Sequence, residues 1–127
     1  HLQSGTDVTI IANGHLVWKA LEAAKELSNL GISAEVLNVH TVKPIDRDAI
    51  LNSARKTNRV VTAEEHQKNG GLGDSVAQIL AEEHPCPMAF IAVDDSFGES
   101  GTPEQLLEKY GLSTQNIVKA AQALMTK

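Results

Sequence analysis

The sequence is short of most features that announce a chemistry. It holds a single cysteine, Cys86, set between Pro85 and Pro87. One cysteine closes no internal disulfide, which fits a reducing cytoplasm. No apolar stretch reaches the roughly 18 residues of a membrane-spanning helix, so no membrane partner is expected. No run of Lys and Arg occurs and the formal net charge is −5, which sets a nucleic-acid partner aside. No signal-peptide pattern opens the chain. It starts at "HLQSGTDV" without an initiator Met, so a piece of a larger subunit is expected. G-x-G-x-x-G, the P-loop, H-E-x-x-H and paired C-x-x-C spacings are also missing.

What is present is an ordinary globular chain. Hydrophobic residues make up 42% and charged residues 21% of 127 positions, enough for one domain with a real core. Such a domain buries about two thirds of the surface that its unfolded chain exposes. "DVTIIAN" (7–13) reads as a buried strand, preceded by the turn "SGTD". Residues 1–3 then read as the stump of an antiparallel partner strand. A helix follows, with Leu16, Ala20, Ala24, Leu27 and Leu30 at helical spacing and Trp18 as a packing anchor. Gly31 supplies its left-handed stop and Ile32 the closing apolar contact. "SAEVLNVH" (33–40) is the next strand, and Pro44 ends that ladder. Asp46 caps a helix over "RDAILNSARKT".

"RVVTAEE" (59–65) is a third strand and "MAFIAVD" (88–94) a fourth. Between them a helix carries Val76, Ile79 and Leu80 on one face. After "DSFGESG", Thr102 caps a helix with Pro103 at its first position and Gln105 completing a capping box. Gly111 is expected to end that helix, and Ser113 to cap a last one with Ile117, Ala121, Leu124 and Met125 on its stripe. Alternation of strand and helix along the whole chain predicts an α/β fold, a mostly parallel sheet with helices on both faces.

Candidate chemistry concentrates at two loops. In "EEHQKNGGLGDS", Gly70, Gly71 and Gly73 sit between a strand end and a helix start, where free backbone N–H groups attract anions. Two readings stand: a phosphate cradle, or a tight turn whose glycines allow positive φ and close helix–sheet packing. The G-G-x-G spacing and the missing Lys-Ser/Thr favour the second. His66, following Glu64 and Glu65, could join a proton relay or an interface hydrogen bond. Adjacent strand residues point to opposite faces, which favours the interface. "FGESGT" falls short of a nucleophile elbow because position 102 is Thr, so Ser100 is a poor nucleophile. Asp94 and Asp95 read as loop carboxylates and establish no metal site. The loops at 64–73 and 94–102 share one edge of the sheet, and that edge suits a partner or ligand.

Together, "DVTIIANG", "ALEAAKELSNLGISAEVLNVHTVKPID", "VVTAEEHQKNGGLGDSVAQIL" and "FGESGTPEQLLEKYGLSTQNIV" resemble the C-terminal domain of transketolases, in that family's order and over nearly the whole chain. The closest resemblance is to transketolases whose C-terminal half is a separate subunit. It implies a three-layer α/β/α unit with a five-stranded mixed sheet whose first strand is antiparallel. The family moves a two-carbon ketol unit between sugar phosphates using thiamine diphosphate and a divalent metal, held between two other domains. Its Gly-Asp-Gly signature has no match here, since Gly73–Asp74 is followed by Ser75. The resemblance therefore places no catalytic, cofactor-binding or metal-binding residue on this chain. It implies a role in assembly, with the pyrimidine- and diphosphate-binding domains as partners and a homo-oligomeric whole enzyme. Candidate interface or anion-contact positions are Glu65, His66, Gly70, Gly71, Gly73, Phe97, Gly98 and Ser100. Two relatives compete: deoxyxylulose phosphate synthase, which usually has histidine where this chain has Ser100, and the 2-oxo acid dehydrogenase β subunit, a docking module. The alternative from another class is a free-standing anion-binding module.

The capping box is directly testable. Thr102→Ala is expected to lower stability by about 1 kcal/mol. Denaturant unfolding of the pair reads this, and an unmoved midpoint would place the helix start elsewhere.

Overall fold

The computed structural model describes residues 2–14, 16–39, 45–65, 71–93 and 103–126, without the side chains of Glu65, Val93 and 103–113. Four strands alternate with four helices: β1 (Val8–Ala12), α1 (Leu16–Asn29), β2 (Ala34–Asn38), α2 (Arg47–Thr57), β3 (Val60–Glu65), α3 (Leu72–Glu83), β4 (Met88–Val93) and α4 (Pro103–Leu124). The strands form one parallel sheet in the order β2-β1-β3-β4. Parallel strands need crossovers, and the helices that supply them cover both faces.

Strand alternation sorts the core into two layers. Val8, Ile10, Ala12, Val36, Val61 and Ala63 pack against α1 and α4 with Ala20, Leu27, Ile117 and Ala121. Ile11, Leu37 and Val60 face α2 and α3, meeting Ile50, Ala54, Val76 and Leu80. The second face is less uniformly apolar, since Thr9, Glu35, Thr62 and Glu64 are buried there as well.

Local signals explain most helix ends. Gly31 has φ 82°. Its N–H donates to the Ser28 carbonyl (3.0 Å), and the Ile32 N–H donates to the Leu27 carbonyl (2.9 Å), closing α1 as its sequence predicts. Ile32 packs on the α1 layer of the core. Asp46 accepts from the Ala49 N–H at 3.0 Å, capping α2. Asn58 ends α2 in the left-handed region at φ 59° and donates to the Ala54 carbonyl. At the far end of α4, Arg59 donates from Nε to the Leu124 carbonyl (3.1 Å) and from Nη1 to the Asp7 carbonyl (3.2 Å). One guanidinium thereby ties the last helix to the start of β1.

One expectation is met in part and three are corrected. The described sheet has four strands, all parallel. The fifth, antiparallel one is represented by a single bridge between Gln3 and Val36. The turn at 4–7 leaves only residues 2 and 3 of the described chain to pair. Second, α4 runs unbroken through Gly111 and Ser113. A glycine inside a helix costs only about 1 kcal/mol, less than docking the Ile117–Ala121–Leu124 stripe returns. Third, Trp18 is 71% exposed, because the buried stripe of α1 runs through Leu16, Ala20, Ala23, Ala24 and Leu27 and residue 18 lies opposite. Fourth, Leu30 is also exposed, lying beyond the last helical turn, where Ile32 takes over the apolar contact. Thr102, read above as a cap, lies outside the described residues.

Ile117→Ala should lower stability by about 2–5 kcal/mol, because Ile117 is fully buried between α4 and the sheet. Gly31→Ala should cost about 1 kcal/mol through its positive φ alone, since a Cβ there meets nothing within 4 Å. Urea unfolding measures both. An Ile117 variant as stable as the parent would mean that α4 does not dock as described.

Candidate functional site

The glycine turn begins where β3 ends. Val60, Thr62 and Glu64 point to the α2/α3 face while Val61 and Ala63 point to the other. Glu64 thus enters the protein under the first turn of α3. Its side chain is buried, with the residue only 6% exposed. One carboxylate oxygen accepts the Leu72 N–H at 2.9 Å and the other accepts the Gly73 N–H at 2.8 Å.

A helix N-terminus leaves donors without intrahelical partners and carries partial positive charge. Those are the properties that would attract a phosphate. In α3 the carboxylate of Glu64 already fills the position. The residue at the N-cap, Gly71, has no side chain and makes no cap of its own. Glu64 is therefore the cap, delivered from eight positions upstream across the strand–helix turn. The cradle is occupied by the protein itself.

The glycines follow from this arrangement. Gly71 has φ −78° and ψ −171°, an extended conformation open to any residue, so the expectation of positive φ fails there. Gly73 is needed for space. A Cβ on it would lie 2.7 Å from Phe90 Cδ1, and 3.2 Å from both Glu64 Oε2 and Thr62 Oγ1. The absent side chain lets the helix approach close enough for its N–H groups to reach the carboxylate. Thr62 is fully buried, and its hydroxyl finds no hydrogen-bond partner among the described residues. Phe90 on β4 stays 56% exposed beside this turn.

Of the sequence candidates, Gly71 and Gly73 are thus brought to the α3 N-terminus. Glu65 ends β3 and is paired in register with Val93 at the end of β4. The two loops therefore leave adjacent strands at the same end of the sheet. His66, Gly70, Phe97, Gly98 and Ser100 lie outside the described residues. Sequence reasoning passed over Glu64 as one of two adjacent acids. The available signal was a helix start with glycine at the cap position, preceded by a carboxylate at a strand end.

Other reactive types are committed elsewhere. The half-buried Cys86 has its thiol pKa pushed up by burial, away from a reactive thiolate. His84 Nε2 lies 2.8 Å from Asn58 Oδ1, at the C-terminus of α3. Arg47 contacts Glu83 at 2.8 Å and Glu82 at 3.4 Å, an exposed link from α2 to α3. Among the described residues no three His, Cys, Asp or Glu side chains are grouped to hold a metal ion.

Comparison with known proteins gives a consistent picture. The family described as "Transketolase, C-terminal domain" matches residues 1–117. The 6-deoxy-6-sulfo-D-fructose transketolase subunit of Clostridium sp. (strain MSTE9) is 53% identical over 94% of this chain. The 1-deoxy-D-xylulose-5-phosphate synthase of Heliobacterium modesticaldum is 40% identical over 97% of it. A solved split-gene transketolase, described as an inactive β4 tetramer, superposes with TM-score 0.85 at 53% identity and covers 98% of this chain. This chain spans only 37%, 19% and 41% of those three proteins respectively.

Glu64→Ala should lower stability by roughly 2 kcal/mol or more, since two donors at a buried helix start lose their acceptor. Gly73→Ala should cost about 1–3 kcal/mol by overpacking against Phe90. Thermal melts with and without inorganic phosphate test both. Phosphate should not raise the wild-type midpoint specifically, and a large phosphate-dependent rise lost in Gly73→Ala would show a real anion site.

Proposed function

The chain belongs to the transketolase C-terminal domain family, and from that premise we propose that it is the non-catalytic assembly domain of an enzyme transferring a two-carbon ketol unit between sugar phosphates. The observation that carries this reading is the occupied helix start. Glu64 takes the N–H groups of Leu72 and Gly73, so among the described residues the start of α3 serves the fold, which supports a domain that does not hold the diphosphate. Thiamine diphosphate with a divalent metal needs a ring of oxygen ligands and phosphate donors. The described residues do not fit that group, and the reading puts both in the parts of the enzyme outside this chain.

The relatives support the division of labour. The split-gene transketolase is inactive as a tetramer of its β chain, which agrees with a reaction that needs a further subunit. The proposed partners of this domain are the pyrimidine- and diphosphate-binding domains or subunit, within a homo-oligomeric whole. Packing against the pyrimidine domain falls to the loops after β3 and β4, with Glu65, His66, Gly70, Phe97, Gly98 and Ser100 as the contact positions. The ends of those strands lie side by side in register, which supports a joint surface. No described helix is long and apolar enough to cross a membrane, and cytoplasmic placement is part of the same proposal.

A second reading is the C-terminal domain of a deoxyxylulose phosphate synthase. The 40% identity to the Heliobacterium modesticaldum enzyme across 97% of the chain favours it over the docking-module and free-standing alternatives. Both readings share the fold and the absence of catalysis from this domain. They differ in the chemistry supplied by the rest of the enzyme.

Calorimetry with thiamine diphosphate and magnesium on the 127-residue chain should show no saturable binding. Ketol transfer should appear only when the cofactor-binding domains are supplied, because catalysis needs the cofactor's reactive carbon held in a preorganised site. Saturable micromolar binding at one site per chain would overturn the assignment.

A further inference from the structure

A second buried carboxylate lies at the other end of the same sheet face. Glu35 sits on β2, and its side chain is 4% exposed. Its Oε1 accepts the Gly5 N–H at 3.0 Å and is in close contact with Lys56 Nζ on α2. Ser53 of α2 also hydrogen-bonds to it. The register partner of Glu35 on β1 is Thr9, an uncharged residue held by the hydroxyls of Ser53 and Thr57, each at 2.7 Å. The groups facing the carboxylate include one ammonium, one hydroxyl and one backbone amide.

The backbone amide belongs to the segment by which the chain enters the domain. Residues 2–7 lie along the outer edge of β2. The Leu2 N–H donates to the Val36 carbonyl and the Val36 N–H to the Gln3 carbonyl, both at 2.9 Å. Gln3 Nε2 donates to the Ala34 carbonyl (3.3 Å), and the Thr6 N–H to Ser33 Oγ (3.1 Å). Gly5 is pressed on β2 itself. A Cβ there would meet the Ala34 carbonyl carbon at 2.2 Å and the Glu35 nitrogen at 2.5 Å. Of these contacts, only the one through Glu35 also reaches a helix. Through Lys56 and Ser53 it joins the entering segment to α2, across the edge strand.

We propose that Gly5, Glu35, Ser53 and Lys56 form a clasp that fixes the angle at which the preceding part of the enzyme joins this domain. The interdomain role rests on the reading that this is the C-terminal domain of a longer enzyme. The clasp itself does not, because it is a property of the 127-residue chain. A segment held only by edge pairing frays easily, since the outermost hydrogen bonds of a sheet open at low free-energy cost. A buried charged acceptor, anchored to a helix on its far side, removes that freedom at one defined residue. Gly5 makes the approach possible and Glu35 holds it.

The clasp is sensitive to protons. Burial pushes the Glu35 pKa up, but the hydrogen bonds from Lys56, Ser53 and the Gly5 amide, with the Lys56 charge, outweigh it and hold the pKa below the ordinary glutamate value. A carboxyl depressed in the folded state contributes stability above its unfolded pKa and loses it as pH falls through the folded pKa. The entering segment should therefore loosen on acidification, below the usual carboxylate range, before the core does.

Amide hydrogen exchange on the chain, read residue by residue, tests this. In Glu35→Ala the protection factors of Gly5, Leu2 and Val36 should fall by about tenfold or more, the loss expected for a hydrogen bond to a charged acceptor, with Ile10 and Val61 unchanged. Glu35→Gln keeps one acceptor oxygen but loses the charge, and should lower the protection part of the way, as acidification of the wild type does. Gly5→Ala leaves Glu35 intact and should release the same amides, which keeps the test open if Glu35→Ala fails to fold. In the wild type, the Gly5 amide proton shift should titrate with a midpoint below the ordinary glutamate pKa. Unchanged protection in both variants, equal loss in segment and core, or a Gly5 midpoint at or above the ordinary value would overturn the clasp. Should the clasp hold while scattering from the parent enzyme shows no change of domain orientation in Gly5→Ala, the interdomain role alone falls.

Discussion

The carboxylate of Glu64 on the first two N–H groups of α3 is the contact around which the candidate site is organised. It satisfies donors that would otherwise be buried without a partner at the turn between β3 and α3. It places a negative charge at the positive end of a helix. It also sets the closeness of helix and sheet, and so excludes a Cβ at Gly73, where Phe90, Glu64 and Thr62 leave no room. A glycine-rich turn, a helix whose N-cap residue has no side chain, and a strand-end acid that caps it are parts of one geometry.

The α2/α3 face of the sheet repeats the device. Each end carries a buried glutamate on a strand, and each glutamate accepts backbone N–H from a neighbouring segment at a glycine: Glu64 with Gly73, Glu35 with Gly5. Between them, Thr9, Ser53 and Thr57 form a hydroxyl cluster under α2. The described core cluster on the α1/α4 face consists of Val, Ile, Leu and Ala, with Thr114 of α4 a buried polar residue. Both layers bury Val, Ile and Leu side chains. The α2/α3 layer also holds polar contacts that fix where chain segments enter and leave the sheet, at a desolvation cost that the hydrogen bonds offset.

Much of this was legible beforehand. Strand spans, the Gly31 stop, the Asp46 cap and the parallel α/β class follow from local chemistry, in which each signal lies within a few residues of its effect. What escaped depends on contacts distant in sequence. Glu64 and Leu72 are separated by a turn, and Glu35 and Gly5 by a whole helix, so neither pairing has a periodic signature. Gly111 carries the local mark of a helix stop, yet α4 continues through it because its far half docks on α1 and the sheet. Trp18 shows the reverse case, where size suggests burial but the phase of the helix turns the ring outward. The family resemblance was carried by motifs spread across the chain, and the match over residues 1–117 agrees with it.

The central claim is that the anion at the start of α3 is the protein's own. Through-hydrogen-bond scalar couplings report it directly, measured by NMR between the amide nitrogens of Leu72 and Gly73 and the carboxylate carbon of Glu64. Both couplings should be present in the free chain and should persist unchanged when inorganic phosphate or thiamine diphosphate is added. Absent couplings, together with Leu72 and Gly73 amide shifts that move on adding either anion, would contradict the account and return the glycine turn to the role of a phosphate cradle.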